Sequence, residues 1–335
     1  MLIVGYRNAQ DVVDCLTALL KASTSPGFDV FICENGGQDA YRQLTESLTS
    51  SGLCELSRQP HIYAQDREFD EVTHFKLSQR ETNVRVARAC SNLGYAGGIN
   101  AWLRPLSCLT GWKGIWVLNP DTLPHPTALY ALVERAETGG KAMVGSTILE
   151  AGEESRVRFR GGLHWQVSLP RPVAIGLGDD LSAAHDLSAI ETIMDSPSGA
   201  SLYATRSCVE KIGLMDDTYF LFYEDIDWGV RAKALGLGYA SGSVVAHKRG
   251  TTTGSSGRLR SVSKLSVYLE HRNGIHFVRR HFPRTLLLRL AMSCCYALRY
   301  LLVGSPRNSV FALSGMIAGL RGETGRPKWH TEPVQ

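Results

Sequence analysis

The 335-residue sequence predicts an α/β fold on a mostly parallel sheet, and three observations carry that prediction. Short apolar runs alternate with stretches of helical apolar spacing through the first half of the chain, the order that builds βαβ units. The runs are continuous rather than alternating, as in strands covered on both faces. Each ends in a turn rich in Gly, Asn or acidic residues, where an open parallel sheet collects its ligands. Apolar and charged fractions of 44% and 20% are those of a folded soluble chain and argue against wholesale disorder.

Taken in order, Leu2-Ile3-Val4-Gly5 is a first strand running into the polar turn Tyr6-Arg7-Asn8. Val12, Val13, Leu16, Leu19 and Leu20 then recur at helical spacing. Residues 28–33 form a second strand that stops at Glu34-Asn35-Gly36-Gly37, where glycine permits positive φ, and a helix follows over 39–50. Residues 51–83 are polar and show no sustained period, so an insertion or long loop is expected. Residues 84–90 make a third strand that ends in Asn92-Leu93-Gly94-Tyr95-Ala96-Gly97-Gly98-Ile99-Asn100. The strand Ile115-Trp116-Val117-Leu118 stops at Asn119-Pro120-Asp121, and a helix over 125–138 follows Pro124 and Pro126.

Further strands are expected at 143–149 and 195–204, a small hairpin at 161–167, a polar and partly mobile connection at 168–192, and a short helix at 206–212. Ile226, Val230 and Ala234 mark a helix from 225 until Gly236 ends it. A last strand over 239–246 is terminated by His247, and residues 249–257 read as a flexible Gly/Ser/Thr loop. Beyond 262 the pattern is helical, with Arg on one side and Leu, Phe and Tyr on the other. Two regions result: an α/β domain over 1–257 and a basic amphipathic helical region over 258–335.

The formal net charge is only +4, but residues 249–299 hold many basic residues and a single acid, Glu270. That asymmetry suggests an anionic surface or substrate near the C-terminal part. Helices packed on the α/β domain, a homodimer contact and a membrane surface are the uses open to such a pattern; no nucleic acid is expected as a partner. Eight scattered cysteines with no CxxC pair suit a reduced, cytoplasmic setting, with Cys33 and Cys90 as small buried hydrophobes. No signal peptide is expected, nor any stretch long and apolar enough to span a membrane.

Four polar strand ends, at 6–8, 34–36, 92–100 and 119–121, imply one crevice that gathers them. Asp121 sits on a turn stiffened by Pro120, where a carboxylate can hold a divalent metal against a diphosphate. By itself the same turn is equally a self-bonded chain reversal. Glu34 and Asn35 offer a carboxylate and an amide suited to bonding a pyrimidine base. Gly94, Gly97 and Gly98 allow close approach by a ligand or by a packed helix, and their spacing is no dinucleotide fingerprint. In Glu224-Asp225-Ile226-Asp227, three acids exceed what helix capping requires and would repel one another if idle. One of them is a plausible general base for a hydroxyl. His247, just after a strand, is either structural or a metal ligand.

These motifs together resemble the family-2 glycosyltransferases of GT-A fold, in particular the rhamnosyltransferase-like branch that builds bacterial surface polysaccharides. The resemblance runs from residue 2 to about 253 and rests on the order of Val4-Gly5-Tyr6-Arg7-Asn8, Ile32-Cys33-Glu34-Asn35-Gly36, Asn92 through Asn100, Leu118-Asn119-Pro120-Asp121-Thr122, Ser198-Gly199-Ala200, Phe222-Tyr223-Glu224-Asp225-Ile226-Asp227 and Val245-Ala246-His247. It implies a Rossmann-like sheet, a dTDP- or UDP-sugar donor, Mg²⁺ or Mn²⁺, and a glycan or lipid-linked glycan acceptor. In that family's terms Asp121 and His247 hold the metal, Asp225 is the catalytic base and Glu224 supports it. Tyr6, Asn8, Glu34, Asn35, Asn92, Gly94, Asn119, Ser198 and Gly199 bind the donor. Asn119 stands where many members have Asp, and Glu34 where Asp is commoner. The resemblance also implies inversion at the anomeric carbon, and a cytoplasmic protein peripheral to the inner face of the plasma membrane. Two other readings share the pattern: an inactive nucleotide-sugar-binding module, and a sugar nucleotidyltransferase. The latter needs a Gly-rich basic loop after the first strand, which Gly5-Tyr6-Arg7-Asn8 is not.

Overall fold

The computed structural model describes residues 1–57, 68–248 and 259–330. β1 (Leu2–Gly5) leads into α1 (Ala9–Leu20), and β2 (Val30–Glu34) into α2 (Gln38–Ser50). β3 (Cys54–Leu56) and β4 (Phe69–Leu77) precede β5 (Asn83–Ala89) and α3 (Gly94–Ser107). Next come β6 (Gly114–Leu118), β7 (Thr122–Pro124), α4 (Ala128–Gly139) and β8 (Met143–Glu150). β9 (Glu153–Arg160), β10 (Gly162–Gln166), β11 (Arg171–Ala174) and α5 (Leu187–Ile193) follow. After β12 (Ser196–Pro197) and β13 (Ser201–Thr205) come α6 (Arg206–Ile212), α7 (Glu224–Ala232) and β14 (Leu237–His247). Three long helices close the chain: α8 (Lys264–His281), α9 (Leu286–Leu302) and α10 (Pro306–Arg321).

The large sheet has the order β3-β4-β5-β2-β1-β6-β13-β8-β14-β7, with β9 paired to β8. Its centre, β5-β2-β1-β6, is parallel, and β14 runs parallel to β8. β13 is inserted antiparallel between β6 and β8. Every residue of β1 and β2 is buried, as the continuous apolar runs require. One face is covered by α1, α2 and α4 through Val12, Leu16, Leu44 and Leu132. The other is covered by α3 and α7 through Ile99, Trp102, Leu103 and Trp228. The chain winds from β1 outward to β2 and β5, then returns to β6 on the other side of β1. This reversal puts α1 and α3 on opposite faces and opens a crevice beyond the carboxyl ends of β1 and β6.

Several expectations differ from what the chain does. The stretch 51–83 is not only loop: β3 and β4 pair antiparallel and extend the sheet's edge. β4 hides its strand period because Asp70, Glu71 and Lys76 sit on an edge exposed to water; its neighbours 58–67 lie outside the described residues. The connection 168–192 contains β11 and α5, the latter capped by Asp186, which accepts from the N–H groups of Ser188 and Ala189. The loop expected at 249–257, and with it the boundary at 257/258, lies outside the described residues. Cys33 is buried, but Cys90 is exposed. Against expectation, Pro283–Leu302 is long and apolar enough to cross a membrane by length and composition, with a mean hydropathy of 1.3. Arg284, Arg289 and Arg299 break the run in the sequence without lowering the average enough to exclude it.

The C-terminal helices are not a detached appendage. α8 buries Phe277 and Val278 against Trp165, Tyr223 and Ile226, and α10 lies along α8, where a Cβ on Gly315 would come within 2.3 Å of the Tyr268 carbonyl oxygen.

Candidate active site

The turn after β6 meets His247 through sheet register. β7 runs antiparallel to the end of β14 and sets His247 opposite Thr122, which brings His247 Nε2 to 3.1 Å from Asp121 Oδ1. The Arg158 Nη1 lies 3.4 Å from His247 Nδ1. Asn119 faces elsewhere: its Oδ1 accepts from the Tyr95 hydroxyl at 2.8 Å, which also lies 3.1 Å from the Gly199 carbonyl oxygen. Tyr95 thereby ties the motifs at 92–100, 119–121 and 198–200 together. Burial, and then the nearby Glu224, Asp225 and Asp121 carboxylates, raise its pKa and keep it a donor.

Asp121 and His247 fit a divalent ion of the magnesium or manganese kind. Among the described residues no three His, Cys, Asp or Glu side chains converge, so these two would be the side-chain ligands. That suits an ion which takes its remaining positions from diphosphate and water, and not a closed structural site.

Across the cleft, both oxygens of Asp225 are fixed by backbone: Oδ2 accepts from the Gly199 N–H at 3.1 Å and Oδ1 from its neighbour Ile226 at 2.9 Å. A Cβ on Gly199 would lie 2.5 Å from Asp225 Oδ2, so glycine is what lets this carboxylate dock. Burial raises the Asp225 pKa and the two N–H groups oppose that rise. Glu224 is more deeply buried; its Oε2 has no hydrogen-bond partner, and burial followed by the Asp225 charge lifts its pKa well above the ordinary range. A carboxylic acid beside a carboxylate removes the repulsion expected of the motif. Asp227 leaves the cleft entirely. It is fully buried, and its carboxylate is met by Arg231 Nε at 2.8 Å and His281 Nε2 at 2.7 Å.

The approach to Asp225 is a strained loop. Phe220, Phe222 and Tyr223 all have φ between 67° and 75°, which costs side-chain-bearing residues roughly 1–3 kcal/mol each. α8 holds them there. Asn273 Nδ2 lies within hydrogen-bonding distance of the carbonyl oxygens of Tyr219 (2.9 Å), Leu221 (2.8 Å) and Phe222 (3.0 Å). Arg272 also donates to Tyr219, and the Tyr223 hydroxyl donates to Glu270. Gly94, at φ 74°, admits the same loop: a Cβ there would lie 2.2 Å from the Phe220 carbonyl oxygen, and Tyr95 N–H donates to that oxygen. Of the two uses open to the glycines, packing accounts for this one.

On the opposite bank, polar side chains bond their own neighbourhood. Asn8 Oδ1 accepts from Tyr6 N–H and Asn92 Oδ1 from Gly94 N–H. Asn35 donates to the Gly94 carbonyl and accepts from Leu93 N–H. Ser198 N–H donates to the Gly161 carbonyl oxygen. Glu34 is wholly buried, its Oε1 accepting from the N–H groups of Arg7 and Gly36; burial raises its pKa and those N–H groups oppose the rise.

Tyr6, Asn8, Asn35, Asn92, Gly94, Asn119, Asp121, Ser198, Gly199, Glu224, Asp225 and His247 line one cleft of about 490 Å³. Glu34 does not: it lies beneath the turn it pins. The sequence reading missed Tyr95, Arg158, Leu163, Ser266 and Glu270, which also line the cleft. Tyr95 lay inside a quoted motif; the others come from β9, β10 and α8, far along the chain and without a local signature.

A parallel-centred sheet with this cleft at its switch point is an open α/β architecture of the Rossmann-like kind. No family model matches the chain, and the curated proteins it is similar to are glycosyltransferases. Over 199 residues it is 27% identical to an N-acetylglucosaminyl-diphospho-decaprenol L-rhamnosyltransferase of Mycobacterium tuberculosis, covering 52% of this chain and 62% of that protein. It therefore spans less than two thirds of that relative's length. Over 249 residues it is 23% identical to the low-salt glycan biosynthesis hexosyltransferase Agl10 of Haloferax volcanii, covering 71% and 76%. Among solved structures, the mannosyltransferase PcManGT from Pyrobaculum calidifontis, in complex with GDP-Man and Mn²⁺, aligns with a TM-score of 0.49 at 11% identity, over 96% of this chain and 86% of that one.

Proposed function

We propose that the cleft binds a nucleotide-diphosphate sugar and transfers the sugar, with inversion, to a hydroxyl of a glycan or lipid-linked glycan. The observation that carries this is the placing of Asp225: a carboxylate held by two backbone N–H groups on one wall, with Asp121 and His247 on the same cleft. Asp225 takes the proton from the acceptor hydroxyl as its oxygen attacks the anomeric carbon and the bond to the diphosphate breaks. Burial raises its pKa, which makes it a stronger base than an exposed Asp. The rise is greater at Glu224, so of the two carboxyls Asp225 carries the negative charge more readily.

Asp121 and His247 would hold a magnesium or manganese ion, which supplies positive charge to a departing diphosphate. Arg158, beside His247, offers a fixed cation to the same phosphate oxygens. The M. tuberculosis relative, named for rhamnosyl transfer to a diphospho-decaprenol carrier, supports rhamnose or a similar sugar carried on dTDP or UDP, and a lipid-linked acceptor at the inner face of a bacterial plasma membrane. Asp225→Asn tests the assignment. Transfer should fall by about 10²–10⁴-fold, while calorimetric donor affinity stays within about twofold, since the amide oxygen keeps one of the two backbone bonds and the change lies on the acceptor's side of the cleft. An unchanged rate would remove Asp225 from the base role.

A further inference from the structure

Nine of the sixteen large apolar side chains most exposed among the described residues lie on α9 and α10. On α9 the buried positions Arg289, Ser293, Ala297 and Tyr300 form the inward stripe. The opposite side carries Leu287, Leu298 and Leu302, with Leu287 80% and Leu302 79% exposed. α10 repeats the arrangement: Ala312, Gly315 and Gly319 face inward, and Val310, Leu313, Ile317 and Leu320 face out. Both helices are thus amphipathic in the inverted sense, polar or small residues inward and leucines to the outside. No acidic residue occurs between Glu270 and Glu323, while Arg284, in the turn before α9, and Arg299, Arg307 and Arg321, on the two helices, are exposed.

We propose that the outward faces of α9 and α10 dock the protein on an anionic lipid leaflet, with both helices lying in the plane of the interface. Leucines entering the acyl boundary beneath a set of guanidinium groups is the pattern of an interfacial helix. A second copy on this face would bring the two arginine sets together with no acid to offset them, so charge complementarity selects lipid. Spanning is opposed by Arg289, which is 2% exposed and donates to the carbonyl oxygens of Pro170 and Glu270, fixing one whole side of α9 to the protein. The surface deepens the proposed function and rests on it in one respect. Ser266 and Glu270 of α8 line the cleft, and Gly315 and Gly319 press α10 onto α8, so docking here holds the cleft at a fixed place relative to a lipid-linked acceptor.

The test is flotation of the full chain with vesicles of phosphatidylcholine containing phosphatidylglycerol, against phosphatidylcholine alone. Binding should require the anionic lipid and weaken at least about tenfold in high salt. It should be lost when Leu287, Leu298 and Leu302 are changed to Glu, and separately when Arg284, Arg299 and Arg307 are changed to Glu, with unfolding transitions kept and transfer to a soluble acceptor unaffected. Equal flotation of all variants, or none by the native chain, would overturn the proposal. So would a concentration-dependent dimer, abolished by the same leucine changes, in a chain that does not float. Flotation that persists in a chain with no transferase activity would refute the proposed function and leave the docking surface standing.

Discussion

The two banks of the cleft differ in where their backbone groups find partners. After β1, β2 and β5, the turn amides and carbonyls are met by Asn8, Glu34, Asn35 and Asn92, several of these bonds spanning two residues of chain. On the bank that carries Asp225, three residues at positive φ are held by Arg272 and Asn273, some fifty positions later. The proposed donor bank is held by bonds within and between these turns. The acceptor bank keeps its shape only while α8 is docked, which makes the C-terminal helices part of the candidate active site.

The largest effect should come from breaking that docking. Asn273→Ala strands the Leu221 and Phe222 carbonyl oxygens around a strained loop, while Tyr219 keeps Arg272, and should cost about 3 kcal/mol of unfolding free energy, read from denaturant midpoints. A loss well below about 1 kcal/mol would mean the loop holds itself.

Acid should loosen the same bank next. Burial would raise the Asp227 pKa, but the bond from His281 and the charges of Arg231 and Arg280 hold it below the ordinary carboxylate range. A depressed native pKa gives stability that is complete above the unfolded value of about 4 and is lost as pH falls through the native value. Thermal unfolding followed from neutrality downward should show this loss, and Asp227→Asn should flatten it. An identical acid profile in both proteins would remove Asp227 from the link between α7 and α8.

The smallest effect has the opposite sign. Glu224 has a raised native pKa, so it weakens the fold above the unfolded value near 4.3, and the penalty disappears below it. Glu224→Gln should therefore raise the melting temperature at neutral pH, by on the order of 2 °C, and gain nothing in acid. A lower melting temperature at neutral pH would place a charged Glu224 in the native state.

The same contrast explains what could be read before the structure. Strand ends declare themselves locally: Leu118 to Asp121 or Ile32 to Gly36 show an apolar run meeting a polar turn, and Asn35, Asn119, Pro120 and Asp121 of those turns line the cleft, while Glu34 and Gly36 do not. Glu34 misled because a strand-end carboxylate looks the same from sequence whether it faces a ligand or pins its own turn. Asp227 misled likewise, since its partners Arg280 and His281 lie on another helix. Strand β4, second from the sheet's edge, was hidden by its charges, and α5 by its short length. Nothing near residue 273 announces that an amide there shapes a loop at 219–222; that information is in the packing alone. The apolar outer face of α9 was legible as amphipathic, but which side turned inward was not, because Arg289 is the buried member.

The most direct measurement pairs one residue from each bank: kcat and calorimetric donor Kd for Asn273→Ala and Asn35→Ala, under conditions where both remain folded. The account predicts a crossing. Asn273→Ala, which releases the loop leading to Asp225, should lose about 10²-fold or more in kcat with donor Kd nearly unchanged. Asn35→Ala, which frees the Leu93–Gly94 turn, should weaken donor binding by about tenfold with kcat largely kept. Equal losses in both constants for both variants, or the reverse assignment, would contradict the division of the cleft into a locally built donor bank and an acceptor bank held from α8.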